Sequence, residues 1–241
     1  MPISAETLVA LSNIDTPTIC NAIELFHVRP PNQGYMDARI KSHFPQLPPM
    51  VGFAVTSAFR SAAPPDGTDV YGAVDRQVEL FASLPGPAVV VFQDLDDPPV
   101  SATFGDSMCS MYQAFGATGL ITSGAGRDLE QIRAMRFPIF STGAICAHGY
   151  CHTLYVGSPV RVAGLVVRQG DLLHGDANGV TSIPLEIASE VPQVAAEFSA
   201  AERQLITFMQ SAEEKTIARC AEARNEFKKV IDKVVDRVRR N

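Results

Sequence analysis

The stretch Gly116-Ala-Thr-Gly-Leu-Ile-Thr-Ser-Gly-Ala-Gly-Arg-Asp128 contains the pattern that decides the fold of this 241-residue chain. Within it, the apolar run from Gly119 to Thr122 predicts a buried strand, and the residues from Asp128 to Met135 predict a helix. A glycine-rich turn that ends in an Arg-Asp pair joins the two. In α/β proteins such strand-to-helix junctions gather at the carboxyl ends of the strands, where ligands bind.

The same alternation of strand and helix extends to both sides of this stretch. Ala88 to Phe92 is a short and fully apolar run, which is typical of a strand buried on both faces. Gly105 to Phe115 follows as a predicted helix. The other predicted segments are a strand from Val51 to Phe59, a helix from Asp69 to Leu84 and a strand from Pro138 to Ser141. The alternation predicts an α/β core.

Two capped helices are predicted before this core, between residues 4 and 26. Ser4 is a candidate cap for the first helix, and either Asp15 or Thr16 is a candidate cap for the second. The proline-rich residues 29–50 then predict an irregular segment.

The second half of the chain changes character twice. Residues 160–184 are rich in β-formers, which predicts strands that pack sheet on sheet. Residues 193–241 contain no glycine or proline, and their apolar residues recur every three or four positions. This predicts a helical extension to an α/β domain at residues 1–192, with a possible break at the capping-box pattern of residues 211–214. We expect the apolar stripe to pack either on the chain's own core or on a neighbouring subunit.

Composition limits the classes of protein to which the chain can belong. Apolar residues make up 46% of the chain and charged residues 19%, as in ordinary globular proteins. The formal net charge of −6 argues against a nucleic-acid partner or an anionic membrane surface. We see no run long enough for a transmembrane helix and no signal-peptide pattern at the N-terminus. Five scattered cysteines favour a reducing compartment, so we expect a cytoplasmic protein.

Two polar junctions carry residues that suggest chemistry. Gly105-Asp106-Ser107-Met108 is a turn into one predicted helix, and Gly124-Ala-Gly-Arg127-Asp128 is a turn into the next. An arginine can hold a carboxylate through two hydrogen bonds, a helix N-terminus presents free N–H groups to an anion, and aspartates suit Mg²⁺ or Mn²⁺. These parts fit a metal-bound oxo acid. A structural alternative stays open, since Asp128 with Gln131 is also a capping box and Asp106 could be a plain N-cap.

Other chemistries are less favoured. The chain has no P-loop and no nucleophile elbow. Ser123-Gly-Ala-Gly126 lacks the third glycine of the dinucleotide fingerprint, which disfavours a bound nucleotide or methyl donor. None of the five lysines is a good Schiff-base candidate, so carbonyl chemistry would more plausibly use a metal.

Three further motifs have both a functional and a structural interpretation. Cys146-Ala-His-Gly-Tyr-Cys-His152 holds zinc-type ligands at a spacing that matches no common zinc motif, which favours a polar loop near the pocket over a second metal site. His174 is either a site residue or, more plausibly, a hairpin histidine paired with Asp176. Asp94-Leu-Asp-Asp97 is either a cation site or, more commonly, an acidic loop.

Gly116 to Asp128, followed by Ile132-Arg-Ala-Met-Arg-Phe-Pro-Ile-Phe140, closely resembles the signature of the RraA-like family. That family includes 4-hydroxy-4-methyl-2-oxoglutarate aldolases, related oxaloacetate decarboxylases and regulators of ribonuclease E activity. Segments 16–22, 105–106 and 170–180 also resemble family segments, in the same order. The resemblance implies a swivelling β/β/α fold with a long C-terminal helical extension. It also implies a homo-oligomer, either a trimer or a dimer of trimers, with sites between subunits.

The resemblance also implies roles for individual residues. Asp128 would bind a divalent metal, Mg²⁺ or Mn²⁺, directly, and Asp106 would bind it through water. Arg127 would hold the carboxylate and keto oxygen of a 2-oxo acid. The Gly105-Asp106 turn and the backbone amides of Ser107 and Met108 would help to bind this substrate. Glu202 is the match for a glutamate that a neighbouring subunit contributes.

The function implied is a metal-dependent lyase that cleaves a small 2-oxo acid through a pyruvate enolate, as an aldolase, an oxaloacetate decarboxylase or both. The alternative is a non-enzymatic protein-binding module like the ribonuclease regulators. Asp106, Arg127 and Asp128 together favour the enzyme. The chain departs from the family at Asn21, where an aspartate is usual, in the longer segment 29–50 and in its C-terminal extension.

Overall fold

The computed structural model describes residues 3–65 and 72–239, and all statements about structure concern these residues. The helices are α1 (Ala5–Ser12), α2 (Thr16–Phe26), α3 (Gly72–Phe81), α4 (Asp106–Ala114), α5 (Leu129–Ala134), α6 (Val191–Gln210) and α7 (Ile217–Val238). The strands are β1 (Lys41–Ser42), β2 (Met50–Arg60), β3 (Ala88–Asp94), β4 (Ala102–Phe104), β5 (Ala117–Thr122), β6 (Ala125–Gly126), β7 (Ile139–Ser141), β8 (Gly143–Ala144), β9 (His152–Leu154), β10 (Val160–Val162), β11 (Leu165–Val167), β12 (Leu172–Asp176) and β13 (Gly179–Ile183).

Eight strands form one mixed sheet at the centre of the molecule. Their order is β1-β7-β5-β3-β2-β12-β13, and β9 pairs with the carboxyl end of β2. The neighbours β2, β3, β5 and β7 are parallel, whereas β1, β9, β12 and β13 are antiparallel to their partners. β2 and β3 are buried along almost their whole length because both faces of the sheet are covered. The predicted α/β class is confirmed.

Two smaller sheets complete the fold. The hairpin of β10 and β11 packs its apolar side chains, such as Val162 and Val167, on Val89 and Val91 of the central sheet. The sheet-on-sheet prediction for residues 160–184 is therefore right for this hairpin. It is wrong for β12 and β13, which extend the central sheet itself. The other small sheet is parallel, with the order β4-β6-β8.

The local sequence explains where the first helices begin. The hydroxyl of Ser4 accepts a hydrogen bond from the Thr7 amide, and the carboxylate of Asp15 accepts one from the Thr18 amide at 3.0 Å. The cap of α2 is therefore Asp15 rather than Thr16. In the helix predicted from Asp69 onwards, residues 69–71 lie outside the described part of the chain, and α3 is described from Gly72.

The C-terminal segment forms two helices, α6 and α7, that pack on the first two. Val191 and Val194 of α6 and Val234 and Val238 of α7 share one buried cluster with α1 and α2. The break between α6 and α7 lies at residues 211–216, where a break was predicted, but α7 is capped by Thr216 rather than by the capping box. No helix in residues 3–65 and 72–239 is long and apolar enough to cross a membrane.

Candidate functional site

Parallel pairing of β4 with β6 brings the two polar junctions together. Phe104 at the end of β4 is the register partner of Gly126 at the end of β6, and the Arg127 amide donates to the Phe104 carbonyl at 3.1 Å. The two segments that follow β4 and β6 leave the small sheet at the same edge, and they continue into α4 and α5. Gly105 and Arg127 are therefore neighbours in space although 22 residues separate them in sequence.

Asp128 is the most unusual residue of this edge. Its backbone is left-handed, with φ 55° and ψ 36°, and its side chain makes no capping bond to α5. Its Oδ2 atom instead accepts a hydrogen bond from the Asp106 amide at 3.3 Å and lies 3.4 Å from Nε of Arg127. The structural alternative of a capping box with Gln131 is therefore wrong for Asp128. Strained backbone of this kind is commonly found at functional sites.

Gly105 makes this arrangement possible. A Cβ atom at Gly105 would lie 2.6 Å from Oδ2 of Asp128 and 3.1 Å from Nε of Arg127, so only glycine leaves room for the carboxylate. Gly105 is the N-cap of α4, and Asp106 is the first residue of the helix rather than its cap. The Ser107 amide donates to Oδ1 of Asp106 at 2.6 Å. The Ser107 amide must therefore leave this partner before it can bind a substrate.

A cavity of about 520 Å³ opens in front of these residues. Gly105, Asp106, Ser107 and Arg127 form its polar end. Asp128 stands beside the lining, with a side chain that is 32% exposed. The other lining residues are Pro65, Val74, Ala102, Thr103, Phe104, Met108, Met111, His148, Gly149, Tyr150, Cys151 and Thr153. The volume suits a small organic molecule.

The loop with two cysteines and two histidines forms one wall of the cavity. His148, Tyr150 and Cys151 line it, as the interpretation of a polar loop near the pocket predicts. Burial raises the pKa of the Cys151 thiol, and the positive charge of Arg127 opposes that shift. No group of three histidine, cysteine, aspartate or glutamate side chains within residues 3–65 and 72–239 is placed to hold a metal.

The polar end fits a hard divalent cation that keeps part of its water shell. Mg²⁺ is commonly held by one or two carboxylates, with water and substrate at the other positions. Asp128 and Asp106 are a donor set of this kind. Gly105 leaves room for the Asp128 carboxylate because it has no Cβ atom. The described residues offer no third nearby ligand, so the protein alone could not surround a metal ion at this place. A site with two carboxylates, water and substrate needs no third protein ligand.

Other residues singled out from the sequence lie elsewhere. Glu202 is on α6, which packs on α1, α2 and α7, and it does not line the cavity of its own chain. Asn21 is on α2 and does not line the cavity either. His174 is fully buried, with Nδ1 2.9 Å from Oγ1 of Thr16 and Nε2 3.1 Å from the Leu11 carbonyl. Its role is structural, with Thr16 rather than Asp176 as its side-chain partner.

One lining residue of the cavity was not predicted from the sequence. Met111 lines the cavity beside Met108, and their helical spacing of three residues was the available signal. Asp94, the first residue of the predicted acidic loop, is buried at the end of β3 and does not line this cavity, and burial raises its pKa to about 6. Asp96, by contrast, accepts bonds from the Ser61 and Ala62 amides, which fits the acidic-loop interpretation.

Comparison with known proteins adds a family match. The family model RraA-like, described as Aldolase/RraA, matches residues 16–181. A protein of Halalkalibacterium halodurans that carries the provisional name 4-hydroxy-4-methyl-2-oxoglutarate aldolase is 34% identical over 106 residues. The matched stretch covers 44% of this chain and 50% of that protein. The chain thus matches about half the length of this curated relative.

Two solved structures share the fold. An uncharacterized protein from Pseudomonas syringae superposes with a TM-score of 0.72 at 22% identity, covering 93% of this chain and 95% of that one. RraAS2 of Streptomyces coelicolor, described as an unusual member of the RNase ES inhibitor RraA protein family, gives a TM-score of 0.65 at 20% identity, covering 87% and 99%. At these identities the similarity shows the fold alone. It confirms the expected RraA-like core.

Proposed function

The chain belongs to the RraA-like family, and from this premise we propose that it is a divalent-metal-dependent lyase that cleaves a small 2-oxo acid through a pyruvate enolate. One observation carries the proposal. Arg127 and Asp106 line a cavity of about 520 Å³ at the N-terminus of α4, and the Asp128 carboxylate lies next to both residues. A cation and an exposed helix N-terminus suit a bound carboxylate, and two aspartates suit a hard metal ion.

Arg127 is the residue that binds and orients the substrate. Its guanidinium can hold the substrate carboxylate and also face the 2-oxo group, where negative charge develops as the carbon–carbon bond breaks. Asp128 keeps the arginine in position because its Oδ2 lies 3.4 Å from Nε. The arginine is thus oriented before the substrate arrives.

Asp128 and Asp106 would hold Mg²⁺ or Mn²⁺. When bound, such an ion supplies Lewis-acid polarisation of the 2-oxo group. The Asp106 carboxylate lines the cavity and takes up, through an ordered water, the proton that leaves the distal hydroxyl. A glutamate from a second subunit, Glu202, would complete the site in a trimer or a dimer of trimers.

Pyruvate release tests this proposal. The assay couples release to lactate dehydrogenase, with 4-hydroxy-4-methyl-2-oxoglutarate, oxaloacetate and 4-hydroxy-2-oxopentanoate as substrates and Mg²⁺ or Mn²⁺ present. We expect release that a chelator abolishes and that Arg127→Ala lowers at least about 100-fold. Arg133→Ala is the matched control, because Arg133 lies on α5 in an exposed pair with Glu130. If no substrate releases pyruvate faster than with metal alone, the lyase proposal is wrong and the protein-binding alternative gains support.

A further inference from the structure

Apolar atoms make up most of the exposed wall of the cavity. Val74 and Phe104 belong to the buried core, and Met108, Met111 and Cys151 pack against that same cluster while lining the cavity. The wall is therefore the exposed side of the hydrophobic core, and α4 supplies both methionines. Methionine side chains adapt to ligands of irregular shape and favour apolar or aromatic groups.

The described lining of the cavity carries positive charge from one strongly basic side chain. Arg127 is the single arginine or lysine among the described lining residues. His148 also lines the cavity, but it is exposed and its Nδ1 is hydrogen-bonded to the Gly149 carbonyl at 2.9 Å. One strong cation can hold one carboxylate.

We propose that this site selects 4-hydroxy-2-oxo acids that carry an uncharged apolar group at C4, with Met108 and Met111 as specificity-determining residues. This inference rests on the proposed lyase function and names its substrate class. A second carboxylate at the distal end would lose its water against thioethers, valine and phenylalanine, and no further arginine or lysine of the described lining would compensate for that loss. An alkyl or aryl group at the same place gains from burial.

The reaction on such a substrate is balanced and redox-neutral. The C3–C4 bond breaks, and its electron pair forms the enolate of pyruvate. The C4 hydroxyl loses its proton and becomes the carbonyl of an aldehyde or ketone. The enolate takes up one proton at C3 to give pyruvate. The apolar wall holds the departing aldehyde or ketone, while Arg127 retains the pyruvyl carboxylate.

Binding and turnover of matched compounds test the inference on the unaltered protein. The binding probes are 2-oxo-4-phenylbutanoate and 2-oxoglutarate, which lack the 4-hydroxyl group and cannot undergo retro-aldol cleavage. We expect the phenyl compound to bind at least about tenfold more tightly by calorimetry with Mg²⁺ present. In turnover, 4-hydroxy-2-oxo-4-phenylbutanoate should exceed 4-hydroxy-4-methyl-2-oxoglutarate in kcat/KM by a similar factor.

A substitution that adds a cation should reverse the preference. In Met111→Lys, the dicarboxylates should bind more tightly and be cleaved with a higher kcat/KM than in wild type. The phenyl compounds should bind more weakly and be cleaved with a lower kcat/KM. Ser110→Lys is the matched control because Ser110 is an exposed neighbour on α4 outside the cavity lining. Met111→Leu keeps the apolar wall and should keep the original preference. Thermal unfolding of each variant shows whether the fold is retained.

The outcomes separate this inference from the proposed function. Cleavage of dicarboxylates as fast as, or faster than, the phenyl substrate overturns the inference and leaves the lyase standing. Tighter binding of the phenyl probe without any cleavage overturns the lyase while supporting the selectivity of the cavity. Equal binding of the two probes without cleavage overturns both.

Discussion

Asp128 turns its backbone into the left-handed region, and this places its carboxylate between Arg127 and the first amide of α4. An ordinary helix cap would direct the side chain towards its own helix. The residue instead serves the neighbouring junction, and the absence of a Cβ at Gly105 makes the approach possible. The geometry of the site therefore depends on one strained residue and one glycine.

Gly105→Ala tests whether the position of the Asp128 carboxylate depends on the absence of a Cβ atom at residue 105. The new Cβ would lie 2.6 Å from Oδ2 of Asp128, so the carboxylate must move. We expect the Mg²⁺ concentration for half-maximal pyruvate release to rise about 10- to 100-fold, as when other outer contacts of a metal site are lost. Gly143→Ala in β8 is the control, because no atom lies within 4 Å of its added Cβ. Equal effects in the two variants would contradict the argument.

Arg127→Lys separates charge from shape. Lysine keeps the positive charge but loses the planar fork that binds a carboxylate through two hydrogen bonds. We expect kcat/KM to fall about tenfold or more, with a smaller loss than in Arg127→Ala. Steady-state kinetics of pyruvate release check the order of the three proteins. Full activity in the lysine variant would mean that Arg127 acts as a charge alone.

The residues of the site could be predicted, but not the way in which they meet. Two strand-to-helix turns with Asp, Arg and Asp signal an anion and metal site. The left-handed conformation of Asp128 has no reliable local sequence signal, because glycine is the usual residue there and aspartate adopts this conformation only occasionally. It depends on the facing Gly105, 23 positions away in the chain. Contacts between distant segments of this kind are not encoded in local patterns.

At the scale of elements, His174 joins β12 to the first two helices. Its ring contacts the Thr16 hydroxyl at the start of α2 and the Leu11 carbonyl near the end of α1. Burial lowers the pKa of His174 below its ordinary value of 6.5, while nearby Asp176 and Asp15 act in the opposite direction. The folded protein therefore binds this proton less readily than the unfolded chain.

This difference sets the sign of a pH dependence. Because the unfolded chain binds more protons, the free energy of unfolding should fall as pH drops below about 6.5 towards the lowered pKa of His174. Asp94 acts in the opposite direction over the same range in both proteins, because its raised pKa of about 6 makes the folded chain bind its proton more readily. We therefore expect urea unfolding at pH 7.5 and 5.5 to show a larger loss in wild type than in His174→Gln. His43, whose pKa burial also lowers, keeps part of the dependence in that variant. Exposed His148→Gln should leave the loss unchanged, and an unchanged loss in His174→Gln would refute the assignment.

The buried residues of α7, Val234 and Val238, lie in its last two turns. Val234 is 4% exposed within the cluster that includes α1 and α2, whereas Val230, one turn earlier, is 36% exposed. We expect Val234→Ala to lower the free energy of unfolding by about 1–2 kcal/mol and Val230→Ala by less than about 0.5 kcal/mol. Chemical denaturation compares the two. Similar losses would show that the middle of α7 is also covered in solution.

Elements with a strong local signal could be predicted, and the short ones could not. Ser4 and Asp15 cap helices as their residue types indicate, and the apolar run of β3 is a buried strand. β6 has two residues, Ala125 and Gly126, so it shows no alternation that a pattern could reveal. Its pairing with β4 nevertheless builds the site, because that pairing aligns the two junctions.

At the scale of the whole molecule, the catalytic role predicted for Glu202 cannot be fulfilled within one chain. This residue lies on α6, half-buried, and not in the lining of the cavity. A catalytic role for Glu202 therefore requires a second copy whose α6 approaches the cavity. Light scattering in solution should give a mass of three or six times the 25.9 kDa of one chain.

Mixed assemblies test whether two chains share one site. Arg127→Ala and Glu202→Gln should each lose pyruvate release when expressed alone. Co-expressed in equal amounts with different tags and purified through both, they should regain activity where an intact Arg127 meets an intact Glu202 from the other chain, at about a third of the sites in a trimer and about a quarter in a dimer of trimers. Mixing the separately purified variants without subunit exchange is the control and should restore nothing. An active Glu202→Gln protein would exclude Glu202 from catalysis. Mixed assemblies as inactive as their parents would show that Arg127 and Glu202 do not act together across two chains.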